Sequence, residues 1–343
     1  METLAVKYRP KTFDDVVEQG SIKLILNQQL QSNETKNAYL FCGGAGTGKT
    51  TCARIFASEI NKGQGNPIEM DAASNSGVDD VRNIIQQAKS KSLDSEYKVF
   101  IIDECHAISN IGWQAFLKLI EEPPAKSVFI FCTTNPEKIP KTILSRVQRY
   151  DFQRISQKGI VDRLADILYS ENLYGYGDNA FYMDALEYIA KIADGGMRDA
   201  ISMMDKCLAY STKLTMENVL SALGTVDYLE MMNLTDMIIN QNNPAGACAI
   251  VESIHNSGKD LKQFISQYIN FLVDVNKYFI GVDWSLLSLP KTAELESWLQ
   301  ELNSDEEVHL RLLDKLIQLK ADTKYAPTPK YDFEAMIMLM KFE

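Results

Sequence analysis

Between Tyr39 and Ile60 the chain passes from one regular pattern to another through a glycine-rich turn. Tyr39-Leu40-Phe41-Cys42 is a short apolar run, and Gly43-Gly44-Ala45-Gly46-Thr47-Gly48 follows it. Lys49-Thr50-Thr51 then opens a helical pattern that continues to Ile60. A strand, a Gly-x4-Gly-Lys-Thr turn and a helix in that order make a P-loop in the context that gives the spacing its meaning. The glycines let backbone N–H groups turn inward around phosphate oxygens, and the helix N-terminus adds the positive end of its dipole. In such a loop the lysine, here Lys49, reaches the β- and γ-phosphates, and the hydroxyl of Thr50 is a ligand for Mg²⁺.

The rest of the first half supports the same architecture. Val99-Phe100-Ile101-Ile102 and Val128-Phe129-Ile130-Phe131-Cys132 are continuous apolar runs ending in polar residues. Runs of that kind, buried on both faces, are what parallel strands of an α/β sheet look like. Between them, Gly112 to Glu122 has the pattern of a helix, stopped by Pro123-Pro124. Asp103-Glu104 closes the Val99–Ile102 run and falls at the carboxyl ends of the strands, where ligands bind in such sheets. Asp103 is placed to hold Mg²⁺, and Glu104 to polarise a water attacking the γ-phosphate of ATP. Asp103-Glu104-Cys105-His106 also spells a helicase-like D-E-x-H box. A helicase of that kind needs a second strand-rich motor domain, which the remainder of the chain does not supply.

Past residue 156 the strand signal disappears. Ile160 to Glu171, Asn179 to Ala193, Arg198 to Tyr210, Leu261 to Phe279 and Glu306 to Leu319 carry helical periodicity, with Gly195-Gly196 as a break. The expected organisation is therefore an α/β P-loop domain over 1–156, a small all-α lid over 157–224 and a larger all-α C-terminal domain over 225–343, the region that the resemblance described below makes a collar. The length, 343 residues, suits two or three domains.

Composition narrows the setting. Hydrophobic residues make up 45% and charged residues 24% of the chain, no apolar run approaches the roughly 20 residues of a membrane span, and the N-terminus has no signal-like stretch. A cytoplasmic location with no membrane partner is the expectation. The six cysteines form no C-x-x-C pair and lie mostly in apolar runs, so reduced, buried thiols are expected. The net charge of −11 argues against a protein whose main work is non-specific DNA binding; any DNA contact needs a local basic face.

Several further motifs bring the sequence close to a known family. Val6-Lys7-Tyr8-Arg9-Pro10 through Val17, Asp71-Ala72-Ala73-Ser74, Trp113 through Pro124, and Thr142-Ile143-Leu144-Ser145-Arg146 occur in order. Gly195-Gly196-Met197-Arg198-Asp199-Ala200, Leu223-Gly224-Thr225-Val226-Asp227 and Tyr325-Ala326-Pro327 follow them. With these the chain resembles the clamp-loader ATPases of the AAA+ superfamily, and within them the bacterial DNA polymerase III γ/τ family. The resemblance implies that Tyr8, Arg9, Pro10 and Val17 wrap the adenine, with Gly43 to Thr51 around the phosphates. It implies that Thr134 is a polar sensor near the attacking water, and that Arg146 is an arginine finger inserted into the site of an adjacent subunit. Arg198 becomes a lid arginine that touches the γ-phosphate in its own subunit. Where the family has Ser-Arg-Cys, this chain has Ser145-Arg146-Val147, a change that removes no catalytic group.

The same resemblance implies a motor subunit that uses ATP to open a sliding clamp and load it onto primer–template DNA. Its partners would be the clamp, the DNA, and δ- and δ′-like subunits or further copies of itself in a pentamer. The host would be a bacterium or a phage-infected cell. DNA would be gripped at its backbone, with Arg82 and Lys118 at two basic positions. Asn75 and Gly77 stand where basic residues are common in the family, so the grip would be weaker or would rely more on backbone N–H groups. A clamp-binding surface is expected from Ile84 to Ser95. Two departures matter. A four-cysteine zinc module is usual after the P-loop helix, whereas residues 61–67 hold no cysteine, so no zinc is expected. The chain also stops after the expected collar, so a τ-type extension is not expected. Two rivals share the motifs. A non-catalytic subunit that only donates Arg146 is opposed by Lys49, Thr50, Asp103 and Glu104. A branch-migration or helicase-loading motor would need a winged-helix C-terminus, and the helical pattern here shows little strand.

Overall fold

The structure is a computed structural model that describes residues 2–75, 77–90, 92, 94–173, 179–223, 227–290, 292–302, 305–323 and 328–340. The motif residues Gly224-Thr225-Val226 and Tyr325-Ala326-Pro327 lie outside the described residues, as do Lys91 and Leu93 of the expected clamp-binding segment. The chain divides into two compact units, residues 1–214 and 215–343.

In the first unit the elements run α1 (Leu4–Lys7), α2 (Gly20–Ser32), β1 (Ala38–Cys42), α3 (Lys49–Ile60), β2 (Ile68–Asp71), α4 (Val78–Ala88) and β3 (Lys98–Asp103). Then come α5 (Asn110–Glu121), β4 (Ser127–Thr133), α6 (Lys141–Leu144), β5 (Gln148–Asp151), α7 (Gln157–Ser170), α8 (Asn179–Ile192) and α9 (Met197–Tyr210). The five strands form one sheet in the order β2-β3-β4-β1-β5, and every pairing is parallel.

Alternation along each strand sorts the side chains between two cores. Leu40, Phe100, Ile102, Phe129 and Phe131 meet Val81 and Ile84 of α4, Trp113 and Phe116 of α5, and Ile143 of α6 on one face. Tyr39, Phe41, Ile101, Ile130 and Cys132 meet Ile22 and Leu26 of α2 and Phe56 of α3 on the other. A strand with helices on both faces has no solvent face, which is why β1 and β4 are buried throughout and mostly apolar.

Two strands carried no sequence signal. β2 and β5 are the edges of the sheet, and in each only one of four residues is fully buried, Met70 and Tyr150. An edge strand of four residues with one buried side chain has no pattern to distinguish it from a loop. The run Val128–Cys132, third among the strands legible in sequence, is consequently the fourth strand of the sheet.

Helix boundaries follow local chemistry. Ser109 caps α5 by accepting from Gly112 N at 3.2 Å, and Pro123 bars its continuation. Ser156 caps α7 by accepting from Gly159 N at 3.1 Å, starting that helix three residues before the apolar periodicity begins. Five cysteines are buried and Cys248 is half-buried; all are free thiols. Burial pushes Cys52 up to about 12, far from a reactive range.

The second unit holds α10 (Met216–Leu223), α11 (Asp227–Ile239), α12 (Pro244–Asn256), α13 (Leu261–Phe279), α14 (Ala293–Glu301), α15 (Glu306–Asp322) and α16 (Pro329–Leu339). Its axis is α13, capped by Asp260, whose Phe264, Tyr268 and Leu272 are enclosed by Val251, Leu316 and Phe333 from three other helices. The buried Tyr268 hydroxyl is satisfied by Thr235 at 2.9 Å, and the buried Asp274 carboxylate by Ser288 N at 2.8 Å and Lys277 at 2.9 Å. No described helix is long and apolar enough to cross a membrane.

Candidate nucleotide site

The glycine turn leaves β1 at the point where the strand order reverses, since β1 lies between β4 and β5 while the chain continues to the far edge at β2. Two of its glycines are required by space as well as by backbone. Gly43 has φ +151°, and a Cβ there would sit 2.6 Å from the Phe152 carbonyl oxygen. Gly46 has φ +69°, and a Cβ would sit 2.9 Å from Gly196 Cα. The loop closes on itself through Thr47 Oγ1, which donates to the Gly44 carbonyl at 2.9 Å.

Lys49 is buried, with 6% exposure. Its Nζ donates to the carbonyls of Gly43 at 2.9 Å and Gly44 at 2.7 Å. Burial pulls this ammonium below the usual lysine range, with Glu104 and Asp103 among the charges that oppose the fall. A buried cation held only by carbonyl dipoles is a site arranged for an anion.

Thr50, the second residue of α3, donates from Oγ1 to Asp103 Oδ2 at 2.7 Å, while Asp103 Oδ1 accepts from Glu104 N at 3.0 Å. Asp103 ends β3, which is not the neighbour of β1: β4 lies between them. That spacing inserts the end of β4 between the loop and the acidic pair. Thr134 Oγ1 accordingly donates to Glu104 Oε2 at 3.1 Å. Glu104 itself has φ +44°, a left-handed conformation uncommon for a side chain of this kind.

A histidine stands behind this pair. His106 Nδ1 lies 3.2 Å from Glu104 Oε2 and 3.2 Å from Thr133 Oγ1, and its Nε2 lies 3.3 Å from Asn135 Nδ2. Sequence reasoning saw His106 only as the last letter of a helicase-like box, and it passed over Thr133 and Asn135. The spacing Asp-Glu-x-His was the available signal.

Above the loop lies a cavity of about 310 Å³. Of the residues expected at the nucleotide, Tyr8, Arg9, Pro10, Val17, Gly46 to Thr51, Asp103 and Arg198 line it. Gly43, Gly44 and Ala45 are not in its wall. Sequence reasoning missed Val16, Ile155 and Arg163, and the lid residues Met197 and Ile201. Val16 and Met197 adjoin Val17 and Arg198 within motifs already noted, whereas Ile155, Arg163 and Ile201 come singly from separate segments that no local pattern marks. Arg163 of α7 donates to the Tyr8 carbonyl at 3.1 Å, and the Tyr8 hydroxyl donates to Glu171 at the end of the same helix. Arg54, also in the wall, is occupied by a bidentate pair with Glu69 at 2.7 and 2.6 Å.

The start of α9 is tied to the glycine turn, Met197 N donating to the Gly46 carbonyl at 3.1 Å. Arg198, the next residue, points its chemistry to the cavity: Asp194 is paired with Arg154, and Arg198 has no acidic partner among the described residues.

Arg146 is elsewhere. It is not in the cavity wall, is exposed, and follows α6. Its Nε lies 2.8 Å from Glu121 Oε1, and its Nη1 donates to the Thr142 carbonyl at 2.9 Å and to Ser145 Oγ at 3.1 Å.

The two basic positions expected at DNA are on neighbouring helices. Arg82 of α4 is paired with Asp79 at 3.0 Å, both well exposed, and Lys118 is exposed in the last turn of α5. Asn75 is exposed, and its backbone N–H and side-chain amide both donate to the Asp71 carbonyl. The first turn of α4 carries Asp79 and Asp80, which complement the helix dipole and repel a phosphate there.

Comparison with known proteins adds the following. Residues 66–156 match the family model described as DNA polymerase III, delta subunit. Residues 159–213 match that of the DNA polymerase III clamp loader subunit, ATPase lid domain. The chain is 34% identical to DNA polymerase III subunit tau of Bacillus subtilis (strain 168), over 96% of this chain and 62% of that protein. It is 38% identical to DNA polymerase III subunit tau/gamma of Haemophilus influenzae, over 66% of this chain and 35% of that one. The chain thus spans between about a third and three fifths of these relatives. Among solved structures, the Thermotoga maritima RuvB Holliday junction branch migration motor superposes with a TM-score of 0.54 at 19% identity. The match covers 72% of this chain and 85% of that one. At that identity the likeness is one of fold.

Proposed function

We propose that this chain, which belongs to the clamp-loader ATPases of the DNA polymerase III family, is an ATP-hydrolysing motor subunit that opens a sliding clamp and loads it onto primer–template DNA. The observation that carries the ATPase is the convergence at one sheet end of Lys49, the Thr50–Asp103 pair and the Glu104–Thr134 pair. The clamp-loading role rests on the similarity to the tau and gamma subunits.

Each role has a physical basis. The flat base meets Pro10, Val17 and Ile155, while Tyr8 and Arg9 frame it. Lys49 is the counter-charge for the terminal phosphates, in a setting where little water screens it. A hydroxyl and a carboxylate oxygen 2.7 Å apart are the hard oxygen donors Mg²⁺ prefers, so Thr50 and Asp103 fit that ion. Bound there, Mg²⁺ would neutralise charge on the β- and γ-phosphates. Glu104 accepts the proton of the attacking water, and Thr134 and His106 both hold one carboxylate oxygen, Oε2, leaving Oε1 to the water. Arg198 meets the γ-phosphate from the lid, and Arg146 completes the site of an adjacent subunit.

The functional division is a P-loop domain over 1–156, a lid over 157–224 and a collar over 225–343, assembled as a pentamer with δ- and δ′-like subunits or further copies. Arg82 and Lys118 contact the DNA backbone, and the stretch from Ile84 to Ser95 faces the clamp. Mg²⁺ is the assigned metal, with no zinc. The test is turnover in the assembled complex. ATPase activity should rise on adding clamp and primed DNA, and an activity indifferent to both would refute the loading role.

A further inference from the structure

We propose that Glu121 is a positioning residue that aims Arg146 at the nucleotide site of the adjacent subunit. The inference deepens the finger reading and rests on it. A guanidinium has five N–H donors in a rigid plane. Here Nε is engaged by Glu121 at 2.8 Å, and Nη1 donates to both the Thr142 carbonyl and Ser145 Oγ. Among the described residues Nη2 has no partner. The plane is fixed at Nε and at Nη1, on opposite sides of the group, and the two N–H bonds of Nη2 are left for an anion.

Both holders are anchored. Glu121 is the last residue of α5, directly after the buried Leu119 and Ile120 and just before the two prolines. Arg146 N donates to the Ile143 carbonyl at 2.8 Å, and Ile143 lies in the same core as Phe116 and Leu119. The carboxylate and the arginine backbone therefore stand on one rigid support, and the guanidinium orientation is set between them. The pair itself is solvent-exposed, 40% for Arg146 and 44% for Glu121. Such pairs contribute little to folding, so stability does not account for the arrangement. A free arginine side chain would sample many rotamers, and each would have to be frozen when the finger engages.

The test compares E121Q, R146A and the double variant E121Q/R146A in the assembled complex with clamp and primed DNA. The E121Q complex should assemble and melt like the parent. It should keep its KM for ATP, and its kcat should fall about tenfold, because Thr142 and Ser145 still hold Nη1. E121D should recover part of that loss. R146A should fall much further, and the double variant should match R146A, since Glu121 acts only through the arginine. A parental or raised kcat for E121Q, or a double variant slower than R146A, overturns the positioning role. Full turnover in R146A would instead remove the finger reading itself.

Discussion

The nucleotide cavity and the arginine patch beyond α6 are built on opposite principles. In the cavity, charge is enclosed: the buried Lys49 and the half-buried Asp103 sit among loop carbonyls, a hydroxyl and a backbone N–H group of their own chain. At the patch, Arg146 stands in solvent with Nε and Nη1 held and Nη2 without a partner among the described residues. A buried charge needs compensation within the fold, whereas an exposed arginine costs little and gains strength only when a partner removes water from it. On the proposed reading, one part of the machinery is finished by folding and the other is left for assembly.

The sharpest way to break that contrast is Arg146→Ala. In the assembled complex, ATP binding should stay near the parental level while turnover falls by about 10³ or more, the scale of a supplied arginine finger. Equilibrium nucleotide binding and steady-state ATPase measured on the same preparation would decide it. Equal loss in both would place Arg146 in its own cavity. Glu104→Gln should come next, lowering kcat by about 10² to 10⁴ with ATP still bound, as expected for removal of a general base. Single-turnover hydrolysis is the appropriate measurement, and a large loss of affinity would count against the assignment.

Lys49→Ala should act on the other quantity. Losing a charged donor to phosphate should weaken ATP binding by about a hundredfold, and titration calorimetry on the chain without partners suffices, because the cavity is complete within it. The smallest effect is expected at the DNA positions. Lys118→Ala should lower the salt dependence of DNA binding by about one unit of slope, weakening affinity severalfold at moderate salt. Arg82→Ala should do less, because its charge is already shared with Asp79. Identical slopes for both variants and the parent would remove this face from the DNA path.

Much of the site was legible because it is compressed into short stretches. Gly43 to Thr51 and Asp103-Glu104 each carry their chemistry in consecutive residues, and the apolar runs before them announce interior strands. What could not be read is what the fold gathers from a distance. Arg163 reaches Tyr8 across 155 positions, and Ile155 and Ile201 line the cavity as single side chains. His106 was visible in the sequence, but of its partners Thr133 ends β4 and Asn135 lies just beyond it. The edge strands β2 and β5 were hidden for the converse reason, since an edge needs little burial and leaves little pattern.

The amino-acid sequence by itself determined that the chain holds a phosphate-binding turn, an acidic pair at a strand end, and a helical remainder. Local chemistry is sufficient for that: glycine's backbone freedom, the burial of continuous apolar runs and helical periodicity act over a few residues. Only the tertiary structure decided that β4 lies between β1 and β3, because strand order is set by how helices cover the sheet. That one placement brings Thr134 to Glu104. It also decided that Arg198 turns toward the cavity while Arg146 is held away from it. Two arginines equally plain in the sequence are told apart by the packing of the elements that carry them.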